Sequence, residues 1–125
     1  MPMTSDEAQA FAVEWAAAWN ERDIERVLAH FHADVAFTSP TALAVVGVPT
    51  VRGKSALRDY WARALASCQT LVFSLDRVVW DAERAELAIV YTSEINGNRR
   101  RVSENLTFDA AGLVARAEVF HGVSG

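Results

Sequence analysis

Two titratable residues near the end of the chain, Glu104 and His121, have the types and placement for proton transfer. A carboxyl and an imidazole can work together as general acid and base. Both fall on the more apolar faces of runs with strand period. In Arg99 to Phe108, the residues Val102, Glu104, Leu106 and Phe108 alternate with Arg101, Ser103, Asn105 and Thr107. In Leu113 to Gly122, the residues Leu113, Ala115, Ala117, Val119 and His121 alternate with Val114, Arg116, Glu118 and Phe120. Successive side chains on a strand point to opposite faces, so both titratable groups project toward an interior. A lone charge there is costly and calls for an explanation. Either Glu104 and His121 do acid–base chemistry, with Tyr91 or Tyr60 as hydrogen-bond donors, or Glu104 pairs with a polar group of a neighbouring strand and does none.

The elements that must hold these residues can be read outward from them. Asp109 to Gly112 is a Gly-containing turn, so the two runs form a hairpin. Two more strands precede it, about Thr70 to Trp80 and Ala85 to Ile95, joined by a turn at Asp81 to Arg84. Asn96-Gly97 is a strong signal for the next hairpin. In the Ala85 strand, Leu87, Ile89, Tyr91 and Ile95 share the inward face.

Helices come first. Thr4 and Glu7 fit a capping box, and Ala8, Phe11, Trp15 and Trp19 follow at helical spacing. Asp23 can cap a short second helix whose buried face is Ile24, Val27, Leu28 and Phe31, with His30 and His32 at its end. Asp34 to Ser39 reads as a strand closed by Pro40. Pro40 to Gly53 has no clear period, yet Leu43, Val45, Val46 and Val48 are too apolar for an ordinary loop. It is either a flap over the core or a lid over a ligand cavity. The third helix carries Leu57, Tyr60, Trp61, Ala64, Leu65 and Cys68 on one face, which makes Cys68 a small buried hydrophobe rather than a nucleophile.

Helices followed by antiparallel strands give an α+β class, with three N-terminal helices packed on one face of a curved sheet. The 125 residues suffice for one domain, spanning 1–125. Half the residues are apolar, which excludes disorder, and the net charge of −4 argues against nucleic acid or an anionic membrane as partner. A single cysteine, no leader-like N-terminus and no apolar run of membrane-span length point to a cytoplasmic protein.

Several chemistries lack their motifs. There is no HExxH or Cys/His cluster for a metal, no GxSxG elbow, no phosphate loop and no dinucleotide fingerprint. Arg99 to Arg101 reads as a solvated strand end, with an anion site as the lesser alternative.

The order of elements, with EWAAAWNERD, LAHFHADVAFTSP, VRGKSALRDYW, ENLTFDAAGLV and EVFHG, resembles the nuclear transport factor 2-like superfamily over nearly the whole chain. That superfamily includes ketosteroid isomerases, SnoaL-like polyketide cyclases, scytalone dehydratase, limonene epoxide hydrolase and non-catalytic members. The resemblance implies a cone-shaped fold that encloses a pocket, and a homodimer. Against ketosteroid isomerases, the oxyanion-binding Tyr corresponds to Trp15, the base Asp before Pro to Ser39, and the protonated acid to Glu104. Phe31, Trp61, Tyr91, Ala117 and His121 match pocket positions, and His121 faces Ser39 across the cavity.

The expectation is therefore a SnoaL-like protein that holds a small, mostly apolar or aromatic molecule in an aromatic cavity. Trp15, Trp19, Phe31, Phe37, Ser39, Trp61, Tyr91, Leu106 and Ala117 would bind the molecule. Glu104 and His121 would be acid and base in an isomerisation, cyclisation, dehydration or hydration that needs neither cofactor nor metal. The alternative is a non-catalytic binding or assembly domain. A dimer would form through the outer sheet face, where Val114 and Phe120 are costly in water and Arg116 and Glu118 can pair across a two-fold axis.

Overall fold

The Thr4 hydroxyl accepts the Glu7 amide at 3.1 Å while the Glu7 carboxylate accepts the Thr4 amide at 2.9 Å, so a reciprocal capping box opens helix α1 (Ser5–Asn20). The computed structural model describes residues 3–124. After α1 come α2 (Ile24–Leu28), β1 (Phe31–Thr38), α3 (Pro40–Val46), β2 (Thr50–Arg52) and α4 (Lys54–Ala66). Four strands complete the chain: β3 (Leu71–Asp81), β4 (Glu86–Ile95), β5 (Asn98–Phe108) and β6 (Val114–Ser124). The strands form one open, curved sheet in the order β2-β1-β6-β5-β4-β3, antiparallel throughout except for the parallel pair β1–β6. The helices precede the long meander and pack on its inner face, which is the expected α+β architecture. No helix among the described residues is long and apolar enough to cross a membrane.

Local chemistry docks α1 onto the sheet. Its last residue, Asn20, donates to the Phe73 carbonyl at 2.9 Å and accepts the Phe73 amide at 2.7 Å, pairing with β3 as a strand would. Arg22 then donates to the carbonyls of Cys68 and Gln69, at 2.8 and 3.1 Å, and ties the α1 exit to the loop after α4.

The structure departs from the sequence reading in four places. The stretch 40–53 is not irregular: it holds α3 and β2, so the described residues form four helices rather than three. Ser39 caps α3 by accepting the Thr41 amide at 3.2 Å, Pro40 occupies the first turn, and Gly47 ends it at φ 82°. Seven residues are too few for a period to show. Phe31 is the first residue of β1, not part of α2. The Val114 amide donates to the His30 carbonyl at 2.8 Å and recruits the chain into the sheet, so Phe31 reaches the same core from a strand. Val114, expected on the outer face, is 0% exposed. Phe108 pairs with Val114 but Thr107 with Arg116, and the extra residue, Ala115, turns Val114 inward. Cys68 lies beyond the end of α4, half-buried, with its thiol against the Ala64 carbonyl at 3.2 Å.

Candidate functional site

Between the sheet's inner face and helices α1, α3 and α4 lies a cavity of about 330 Å³. Strand register orders its sheet wall by depth. At the inner end Glu104 stands opposite Val119 on β6 and Ile89 on β4. The next rung is Tyr91, Val102 and His121, and the next is Phe73, Ser93 and Arg100. Leu71, Ile95 and Asn98 form the rim. Glu104 thus has Tyr91 and His121 as diagonal neighbours on its two flanking strands. The helical side supplies Trp19, Tyr60, Trp61, Ala64 and Leu65, with Thr41 and Val45 from α3. Its aromatic wall packs edge to face: Trp19 on Trp61 at 4.8 Å between ring centroids, and Phe37 on Trp61 at 5.5 Å.

The mouth is held by Asn96. This residue (φ 52°) and Gly97 (φ 83°) form a turn with left-handed backbone at both positions. The Asn96 side chain accepts the amides of Gln69 and Thr70, at 2.7 and 3.2 Å, and donates to the Ser67 carbonyl at 3.0 Å. The hairpin tip is thereby clamped to the end of α4.

Glu104 is 5% exposed and accepts the Tyr91 phenol at 3.0 Å. Burial pushes its carboxyl up to about 7, and the Tyr91 hydrogen bond pulls only partly the other way. No cation pairs with it among the described residues; Arg101, on the opposite face, bonds Asp76 and Thr92. Burial and then the nearby Glu104 charge raise the Tyr91 phenol well above its ordinary value. Burial pushes the Tyr60 phenol up to about 12, against hydrogen bonds with Ser39 and Thr41.

His121 Nδ1 lies 2.8 Å from an Arg100 guanidinium nitrogen. Guanidinium has no acceptor, so Nδ1 must accept and the neutral ring carries its hydrogen on Nε2. Burial first, and then the Arg100 charge, hold the imidazole below its ordinary pKa. With its Nδ1 lone pair engaged by Arg100, the ring presents Nε2–H as a donor.

Of the residues expected around a ligand, Trp19, Phe37, Ser39, Trp61, Tyr91, Glu104 and His121 line the cavity. Trp15, Phe31, Leu106 and Ala117 do not; they are buried in the solid core behind it. Trp15 backs the wall, stacked on Phe73 at 5.7 Å and edge-on to Tyr91 at 5.0 Å. The cavity also takes in Tyr60, Phe73, Ser93 and Arg100, none of which sequence reasoning had placed there as lining. For Arg100 the signal was present, since residues 100, 102 and 104 share one face of β5.

The family model for the SnoaL-like domain matches residues 12–117. The chain belongs to the SnoaL-like domain family. A SnoaL-like protein of unknown function from Burkholderia thailandensis is 27% identical, with a TM-score of 0.88 over 98% of this chain and 100% of that one. Two other solved structures share the fold at lower identity. SalBIII, an epoxide hydrolase/cyclase-like enzyme in pyran ring formation in polyether salinomycin, is 15% identical with a TM-score of 0.74, over 94% of this chain and 92% of that one. TerC, co-crystallized with polyporic acid, is 18% identical with a TM-score of 0.75, over 92% of each chain. Comparison with curated proteins gives no match.

Proposed function

We propose that this SnoaL-like protein binds a small, mostly apolar molecule in the aromatic cavity and that Glu104 exchanges a proton with it, in an isomerase, cyclase, dehydratase or hydrolase type of reaction. The observation that carries the reading is the state of Glu104. A carboxyl with a neutral donor for partner and a midpoint at about 7 can be both taker and giver of a proton near neutral pH. The surrounding rings supply an apolar body with contact area, and the cavity of about 330 Å³ falls within the usual range of about 300–1,000 Å³ for ligand sites. In the sequence reading His121 was the base; its engaged Nδ1 supports the donor's role instead.

The proposal extends to the whole molecule: one SnoaL-like domain, cytoplasmic, and paired as a homodimer through the outer sheet face. Phe120, 53% exposed there, supports the dimer. A second reading, a binding or assembly domain without chemistry, is favoured by one observation, that Glu104 and His121 each already hold a protein partner.

Two measurements test the main reading. Carbon-detected NMR of the Glu104 carboxyl should give a midpoint near 7; a midpoint at or below the ordinary glutamate value would remove the proton-transfer role. Titration with 2-methylnaphthalene should quench fluorescence from Trp19 and Trp61 and shift their indole resonances. No response at saturation in water would remove the cavity as a binding site.

A further inference from the structure

The two sides of the cavity mouth are built differently. Strand β6 runs from Val114 toward the rim and β1 lies parallel beside it, so α3, which follows β1, starts at the rim. On the far side of β6 the rim belongs to the β4–β5 hairpin, which the Asn96 side chain clamps to the end of α4. Helix α3 is docked far more lightly. Ala42 is its one buried residue and Val46 packs partly against the core, while Leu43 is 53% exposed and Val45, which lines the cavity, 37%. From Val35 to Val51 the sequence has no charged residue, so no ion pair holds the segment. Its side-chain tie to α4 is the Tyr60 phenol, bonded to Ser39 and Thr41.

The segment is also hinged. The Ser39 amide donates to the Pro49 carbonyl at 2.9 Å and the hydroxyls of Thr38 and Thr50 meet at 2.9 Å, so β1 and β2 close a stem that carries residues 40–48 as its loop. Within that loop the Leu43 amide donates to the Ser39 carbonyl at 3.3 Å and the Gly47 amide to the Leu43 carbonyl at 3.1 Å. Gly47 ends the helix at φ 82°, and a Cβ there would meet nothing within 4 Å, so the position requires glycine for its backbone angle alone. A short helix on a closed stem can lift without breaking any pairing of the sheet, which is the construction of a lid.

We infer that α3 is the gate of the cavity: it lifts about the Ser39–Pro49 stem to admit a ligand past Thr41 and Val45, and closes as Ala42 and Val46 return to the core. The inference rests on the cavity reading above and adds the route of entry and the step that limits it. With Ala42 at 0% exposure, the structure shows the closed position. Closure of α3 also shields the inner end of the cavity, where Glu104 stands, from bulk water while a ligand is held. A gate and a fixed wall differ in one respect. Weakening a closed gate favours the open position equally in the free and the loaded protein, so entry and exit both quicken and affinity stays the same. Weakening a fixed wall leaves the entry rate unchanged.

The test uses the intact protein, its Gly47→Ala variant and 2-methylnaphthalene as probe. Gly47→Ala imposes a left-handed angle on an L side chain without a clash, and should raise the open population about tenfold. Stopped-flow quenching of Trp19 and Trp61 should then show association and dissociation each about tenfold faster than in the parent, at an unchanged dissociation constant. Hydrogen exchange of the parent gives a second measurement that needs no variant. The Leu43 and Gly47 amides should exchange through a local opening, about 100-fold or more faster than the amides of the central strand β5, and should slow when the probe is bound. An association rate in Gly47→Ala equal to that of the parent would make α3 a fixed wall, overturning the gate and leaving the cavity reading standing. Exchange of Leu43 and Gly47 only together with β5, by global unfolding, would overturn the gate as well. Failure of the probe to bind the parent would overturn the cavity reading, and the gate with it.

Discussion

The Tyr91 phenol donates to Oε1 of Glu104 at 3.0 Å across the β4–β5 ladder, so the buried carboxyl has a neutral donor for its partner. A donor favours the charged carboxylate and burial disfavours it. Burial wins here, and the balance stands at about 7. A cation in the place of Tyr91 would have held Glu104 ionised across the physiological range and ended its use as a proton carrier.

Tyr91→Phe removes that donor and keeps the ring. The Glu104 midpoint should rise by about one pH unit, as loss of a hydrogen bond to a charged group implies. Carboxyl-resolved NMR titration of the variant checks it. An unchanged midpoint would mean that the bond carries no weight in the folded protein.

Glu104 also makes stability depend on pH. Its folded midpoint, about 7, lies above the ordinary 4.5, so the folded state holds the proton more tightly than the unfolded chain. The contribution is fully present below about pH 4.5 and is lost as pH rises through about 7. The full shift corresponds to about 3 kcal/mol. Glu104→Gln cannot ionise, so it should be more stable than the parent by about 1–3 kcal/mol at pH 8 and no more stable at pH 5. Urea melts at both pH values decide this, and equal destabilisation at both would show a carboxylate held by a favourable partner.

Much of this was legible in the chain because it depends on short-range rules. Alternation placed Glu104, Tyr91 and His121 on inward faces, and Asn96-Gly97 marked a hairpin. What escaped depends on contacts distant in sequence or on one-residue irregularities. The bulge at Ala115 reversed Val114, and nothing in a run of alternating residues announces it. Phe31 fits both a helix face and a strand start; the bond from Val114 to His30 decides between them, from more than eighty residues away. The contact between His121 and Arg100 escaped as well, because Arg100 stands among three consecutive arginines that read as solvated.

The dimer reading has a direct test at Phe120. On the outer face it stands opposite Ser103, which in turn stands opposite Val90, while Val79 on β3 is 57% exposed. An aromatic ring and valines on an exposed sheet face are the ingredients of an interface core. Analytical ultracentrifugation at micromolar concentration should show a dimer, and Phe120→Asp should shift it to monomer while circular dichroism stays unchanged. A parent protein that sediments as a monomer would sink the proposal.

This protein should not catalyse the double-bond shift of a β,γ-unsaturated ketosteroid at a rate typical of ketosteroid isomerases. That reaction needs a base to carry a proton between carbons, worth roughly 10²–10⁴-fold, and donors on the enolate oxygen, worth roughly 10²–10³-fold each. At the position corresponding to the base stands Ser39, whose oxygen already accepts the Thr41 amide at 3.2 Å as the cap of α3. At the position corresponding to the first-helix donor stands Trp15, whose indole N–H is buried without a partner and whose ring lies behind the cavity wall. Glu104 could replace the base only from its own place at the inner end of the cavity, on β5 rather than at the cap of α3. Following the conjugated enone absorbance of purified protein with the steroid should show turnover at least about 10⁴-fold below the diffusion-limited range, the combined loss of base and donor. Turnover near that limit, abolished by Glu104→Gln, would mean that one carboxyl does the work of both missing groups.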